Sequence, residues 1–251
     1  MRRWLPLLVL PLLLGADPTE APAPKVELSL LAAPDDGGAL LGLRYRIAPG
    51  WHIYWENPGD SGMATSATVE PPAGWTAGPL QFPGPVAFGG DDLVSYGYAD
   101  EVVLLVPLVG SGGGTVSVES RWLVCKDICE PESASATLDL DALAADASLE
   151  PWRGRVPRDA TATDGVTVTR DGDQITITSE APATLFPSVP LELALGGARP
   201  AFREELVKGQ QVWLLRATIG PTEAGTRGVL ALGPQRDRFV RIVIPPTGSA
   251  P

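Results

Sequence analysis

The sequence of 251 residues predicts an all-β protein built as two β-sandwiches in tandem. Three observations carry that reading. The chain holds 28 Gly and 26 Pro, both poor helix material. Apolar residues recur with the period of a strand that has one buried face. Turn-forming clusters separate these runs at intervals typical of a sandwich.

In the first half, Leu41, Leu43, Tyr45 and Ile47 alternate with Gly42, Arg44, Arg46 and Ala48. Trp51, Ile53 and Trp55 repeat the pattern after Pro49-Gly50, and Val116, Val118, Trp122 and Val124 do so after Gly112-Gly113-Gly114. Residues 101–109 form a nearly continuous apolar run, suited to a central strand covered on both faces. The pattern lapses near residue 140, where residues 141–150 predict the one substantial helix, a connector ending at Pro151. Strand signals resume at 165–170, 174–179, 211–217 and 239–244, with Asp171-Gly172 marking a hairpin. The expected organisation is 1–16 as signal peptide, 17–24 as lead-in, 25–141 as the first sandwich with the cysteine pair, 142–160 as connector, 161–246 as the second sandwich and 247–251 as a flexible tail.

Charge and composition exclude several functions. With 19 basic against 30 acidic residues the net charge is −11, which disfavours nucleic acid, whose binders depend on clustered Lys and Arg. A single His and two Cys are too few for an ordinary structural zinc site. No Gly-x-Ser-x-Gly motif supports a serine hydrolase. The Asn57-Pro58-Gly59-Asp60-Ser61-Gly62 run lacks the Lys of a phosphate loop and reads as a shaped turn, while Asp35-Asp36 and Asp91-Asp92 read as solvated loops.

Arg2 and Arg3 followed by the short apolar stretch 5–14 predict an export signal, cut after Ala16. That stretch is far below the roughly 20 residues needed to span a bilayer. Export leads to a compartment where disulfides persist, which makes Cys125 and Cys129 the central question. Four extended residue steps separate α-carbons by about 13 Å, whereas a disulfide needs roughly 4.4–6.8 Å, so a turn must lie between them. As a staple the bond is inefficient: closing about five residues gives near 2 kcal/mol, against about 4.7 for a hundred-residue loop. A close pair suits switching between dithiol and disulfide. The spacing alone leaves three readings open, namely redox exchange, a static staple, or Cu(I) binding with Met63 as a third ligand.

The ordered set Gly50-Trp51-His52-Ile53-Tyr54-Trp55-Glu56-Asn57-Pro58-Gly59-Asp60-Ser61-Gly62, then Tyr96-Gly97-Tyr98, then Trp122-Leu123-Val124-Cys125-Lys126-Asp127-Ile128-Cys129-Glu130-Pro131 closely resembles the N-terminal exported portion of DsbD and ScsB type thiol:disulfide reductases. The likeness covers residues 25–140 well, and the second half looks like the second sandwich of the ScsB-like branch. It implies two immunoglobulin-like β-sandwich domains in tandem, located in the periplasm of a Gram-negative bacterium. It further implies that electrons arrive from a membrane thiol carrier through a thioredoxin-like domain and pass to oxidised periplasmic disulfide isomerases or cytochrome c maturation proteins. No organic cofactor is required. By the same resemblance Cys125 and Cys129 are the exchanging pair, with Cys129 forming the mixed disulfide. A cap loop is expected over them at residues 91–96, with Asp92, Leu93 and Val94 near its tip and Tyr96 as its aromatic residue. Full-length relatives continue into membrane helices and a thioredoxin-like domain, so a chain ending at Pro251 is expected to be recharged by another polypeptide.

His52, the sole imidazole, lies by alternation on the face opposite Trp51, Ile53 and Trp55 and reads as a hydrogen-bonded structural side chain; the alternative is a group that polarises a thiol. Trp51, Trp55, Trp75 and Trp122 read as core rather than a ligand groove.

Overall fold

The computed structural model describes residues 24–90, 93–141, 143–144, 146–188, 202–207, 210–218 and 226–248. The expected signal peptide, nearly all of the lead-in and the end of the tail lie outside them. The strands of the first half are β1 (Val26–Asp35), β2 (Gly38–Ile47), β3 (His52–Gly59), β4 (Ser66–Glu70), β5 (Trp75–Ala77), β6 (Val86–Gly89), β7 (Val94–Ala99), β8 (Glu101–Gly110), β9 (Thr115–Cys125) and β10 (Cys129–Asp139). They form one sheet in the order β1-β2-β8-β5 and a second in the order β10-β9-β3-β7-β6, with β4 also paired to β9.

The period-two pattern explains why these sheets pack. Leu41, Leu43 and Tyr45 of β2 are fully buried against Ile53 and Trp55 of β3 and Val116, Trp122 and Val124 of β9. Each such apolar side chain removed from water contributes about 1.5–3 kcal/mol. The one polar atom that Tyr45 carries into this core is satisfied by the Ser120 hydroxyl at 2.7 Å, and burial pushes its phenol up to about 12. Strand β8 lies between β2 and β5, and both its faces are covered. Val102, Leu104 and Val106 face the main core, while Val103 and Leu105 meet Leu40 and Leu149 in a second cluster.

Leu149 comes from the connector, and here the expected helix is corrected. Among the described residues of 141–150 none before Glu150 is helical, and the helix there is the single turn α1 (Glu150–Arg153), which begins where the longer one was expected to end. Short acidic side chains capture backbone donors and so compete with helix. Asp141 accepts from the Gly114 amide at 2.9 Å, and Asp146 accepts from the Ser148 amide at 2.9 Å. Pro151 in the first turn of α1 loses nothing, because donors there have no intrahelical partner.

The second half comprises β11 (Arg158–Asp159), a 3₁₀ turn at Ala162–Asp164, β12 (Val166–Asp171), β13 (Gln174–Ser179), β14 (Ala183–Pro187), β15 (Arg203–Val207), β16 (Gln210–Thr218), β17 (Arg227–Leu232) and β18 (Arg238–Val243). Two four-stranded sheets result, β11-β18-β17-β14 and β12-β13-β16-β15. The Asp171-Gly172 signal closes the β12–β13 hairpin, whose last pair is Asp171 with Gln174. Ile175, Ile177, Leu215, Leu230, Leu232 and Val240 fill the space between the sheets.

The halves share a core. Phe186, Val229, Ala231 and Phe239 of the second sandwich pack into the cluster that contains Trp55 and Trp122. Phe186 meets Trp55 edge-on with ring centroids 6.4 Å apart and Tyr96 at 5.4 Å. The buried Asn57 donates to the Pro187 carbonyl at 2.6 Å, and the Gly84 amide donates to the Arg155 carbonyl at 2.8 Å. Gly84 has to be glycine, since a β-carbon there would lie 1.9 Å from the Phe239 ring.

Candidate redox site

Strand β9 ends at Cys125 and β10 begins at Cys129, and the two face each other as the last pair of the β9–β10 hairpin. Lys126, Asp127 and Ile128 make the turn that the spacing required. It brings the α-carbons to 4.1 Å, and the two sulfurs are joined in a disulfide. The two ends of that bond differ in access. Cys125 is 2% exposed, Cys129 is exposed, and Ile128 beside it is 73% exposed.

The other edge of β9 pairs with β3, His52 opposite Cys125 and Ile53 opposite Val124. Ile53 and Val124 point into the core, so His52, Cys125 and Tyr54 share the outer face of the sheet. The Tyr54 hydroxyl donates to Cys125 Sγ at 3.0 Å and lies 3.5 Å from Cys129 Sγ. Burial raises the Tyr54 phenol above its ordinary value, and hydrogen bonds with Ser95 and Ser61 offset part of that rise. Its carbonyl accepts from the Thr65 hydroxyl at 2.7 Å.

The turn after Tyr54 is shaped by the residues expected to shape it. The Asn57 carboxamide oxygen accepts from the Gly59 amide at 3.0 Å, and Asp60 accepts from the Val94 amide at 2.8 Å, tying the turn to β7. Gly62, at φ +104°, lies flat against the Tyr54 ring, where a β-carbon would be 2.3 Å from Cε1. At the mouth of the site the Lys25 ammonium pairs with Glu130 and lies 4.8 Å above the Trp51 ring.

Of the expected cap segment, Asp91 and Asp92 lie outside the described residues, and Val94 to Tyr96 belong to β7, which pairs with β6. Leu93 is 60% exposed at the tip of that segment and Val94 is half-buried. The Tyr96 ring meets Trp55 and Phe186, and alternation along β7 gives Ser95 and Gly97 the face that Tyr54 and Cys125 occupy. The aromatic residue on that face is Phe88 of β6, stacked on His52 with ring centroids 4.5 Å apart. Phe88 and Tyr54 were both missed in the sequence. The signal for Tyr54 was its place two residues after His52, on the same strand face; that for Phe88 was its place just before Gly89-Gly90, the turn of a hairpin. His52 is also corrected, since its ring is held between Phe88 and the Tyr54 edge and has no hydrogen-bond partner among the described residues. Trp55 and Trp122 are core, as expected, whereas Trp51 and Trp75 are only half-buried.

Fold and site together define a tandem β-sandwich protein with an oxidised cysteine pair at a hairpin end, one cysteine buried beneath a tyrosine and the other an exposed residue. Residues 20–140 match the family model described as "Thiol:disulfide interchange protein DsbD, N-terminal". Among solved structures, the N-terminal periplasmic domain of ScsB from Proteus mirabilis matches with a TM-score of 0.64 at 18% identity, covering 88% of this chain and 94% of its own. The Neisseria meningitidis DsbD N-terminal domain in the reduced form matches with a TM-score of 0.32 at 16% identity, covering 47% of this chain and 86% of its own. No curated protein matches the chain in sequence. The family-model match and the Cys125–Cys129 bond support a thiol:disulfide exchange domain in the first sandwich.

Proposed function

We propose that the chain is an exported thiol:disulfide exchange protein that passes two electrons at a time from a reductant in the cell envelope to oxidised envelope proteins. The observation that carries this is the unequal exposure of the two cysteines, with Cys125 at 2% and Cys129 an exposed residue. A foreign disulfide can be attacked only by the open sulfur, and the sealed one is then at hand to resolve the mixed bond. In the reduced chain, the Cys129 thiolate attacks one sulfur of the partner's disulfide and the other leaves as a thiolate. Cys125 then attacks Cys129 Sγ, restoring the Cys125–Cys129 bond and releasing the partner as a dithiol.

In this reading residues 1–16 are the export signal, residues 25–141 are the redox domain and residues 161–246 are a docking and supporting domain. The donor is a membrane thiol carrier or a thioredoxin-like domain. The acceptors are oxidised periplasmic disulfide isomerases or cytochrome c maturation proteins. The β6–β7 hairpin, with Leu93 and Val94 at its outer end, acts as the cap that restricts which disulfides reach Cys129.

Equilibration in glutathione buffers of graded potential tests the reading. An exchange pair should titrate between dithiol and disulfide within the range of the envelope's redox carriers. A bond that stays oxidised well below about −300 mV is a structural staple and contradicts it.

A further inference from the structure

Resolution of the mixed disulfide needs a proton acceptor, because Cys125 must lose its proton before its sulfur can attack, and at 2% exposure little water can take it. His52, the only imidazole in the chain, is the α-carbon partner of Cys125 across the β3–β9 ladder. Side chains directly opposite in an antiparallel pair stand on one face with β-carbons about 4.5–5.5 Å apart. Tyr54, two residues along from His52, fixes that face independently by reaching Cys125 Sγ.

We propose that His52 is the proton acceptor for Cys125 in the step that closes the disulfide. The inference rests on the exchange reading and deepens it. The proton of the Cys125 thiol passes to a ring nitrogen of His52, and the sulfur anion attacks Cys129 Sγ. The bond between Cys129 and the partner breaks, and the partner sulfur leaves with the electron pair and takes the proton back from His52. With the first step included, the partner's disulfide gains two electrons and two protons, one through His52 and one from the solvent that had taken the Cys129 proton, and the chain's dithiol becomes a disulfide.

The setting of the ring suits this work. Stacking on Phe88 at 4.5 Å and edge contact with Tyr54 at 5.3 Å orient it without using its nitrogens. Burial lowers its pKa below the ordinary value of 6.5, so at neutral pH the ring is uncharged and able to accept. Among the described residues, the titratable groups on this face are Tyr54 of β3, Cys125 of β9 and Cys129 of β10, while the neighbours from β6 and β7 are Phe88 and Ala99. The cation of the turn, Lys126, lies over Gly50, 3.7 Å from where a β-carbon would stand.

The test is stopped-flow reaction of the fully reduced chain with the aromatic disulfide DTNB, which releases one thiolate when Cys129 is attacked and a second when Cys125 closes the bond. The His52→Gln and His52→Phe variants, the second keeping a ring against Phe88, should leave the first release unchanged and slow the second roughly tenfold or more near about pH 7. At about pH 10, where thiols ionise unaided, the variants and the wild type should converge. In the wild type, the second release should accelerate as a group with a pKa below the ordinary imidazole value deprotonates. Closure at the wild-type rate in either variant, equal slowing of both releases, or a flat wild-type profile overturns the assignment of His52 while leaving exchange standing. A wild-type chain that never gives the second release overturns the exchange reading and His52 with it.

Discussion

The Tyr54 hydroxyl donates to the buried sulfur of Cys125 at 3.0 Å, across two neighbouring strands of one sheet. A hydroxyl aimed at sulfur favours the sulfur when it carries negative charge. Replacing Tyr54 by Phe removes that donor and keeps the ring that Gly62 packs against. With Cys129 changed to Ala so that Cys125 titrates alone, Tyr54→Phe should raise the Cys125 thiol pKa by about one unit, since a hydrogen bond to a charged group is worth about 1.5–3 kcal/mol. Thiolate absorbance against pH measures it, and an unchanged titration would show that the contact carries no energy.

The contact with Gly62 predicts a second effect. At φ +104° and with a β-carbon 2.3 Å from the Tyr54 ring, Gly62→Ala should destabilise the chain by about 1–3 kcal/mol. Urea unfolding reads the loss; a variant as stable as the wild type would mean that the turn yields freely.

Phe186 binds the sandwiches together through Trp55 and Tyr96, and it is 4% exposed. Phe186→Ala should cost about 3–5 kcal/mol. The shared core predicts a single unfolding transition in calorimetry for the wild type and a split one for the variant. Two independent transitions in the wild type would refute the energetic union of the halves.

Acid should weaken the start of the second sandwich. The Asp164 carboxylate accepts from Arg158 at 2.6 and 2.8 Å and from the Thr161 amide at 2.8 Å. The Arg158 hydrogen bonds, foremost, hold its pKa well below the usual carboxylate range. A carboxyl depressed by folding stabilises above its unfolded pKa and loses that contribution as pH falls toward its folded one. Asp164→Asn should therefore lower the melting temperature at neutral pH, and its deficit should shrink as pH falls below about 4. A deficit independent of pH would assign the effect to packing.

The sequence made much of this visible for reasons that can be stated. Alternation in β2 and β9 is a local pattern, and the double burial of β8 follows from its unbroken apolar run. The cysteine spacing demanded a turn, and the turn is there. What escaped depended on register between distant strands. Tyr54 belongs to the site only because β3 pairs with β9 at His52 and Cys125. Phe88 belongs to it only because the β6–β7 hairpin brings it against His52. Tyr96 meets Trp55 and Phe186 because one residue along β7 reverses the face. Where a helix was expected at 141–150, Asp141 and Asp146 instead accept from the backbone amides of Gly114 and Ser148.

Trapping in cells tests the exchange account most directly. Cys125→Ala leaves the open sulfur with no partner to resolve it, and it should accumulate mixed disulfides with envelope proteins through Cys129, seen as complexes that a reductant dissolves. Cys129→Ala, with only the sealed sulfur, should capture few or none. If neither variant captures a protein, and the wild-type pair stays oxidised whatever reductant the cell supplies, the account is contradicted.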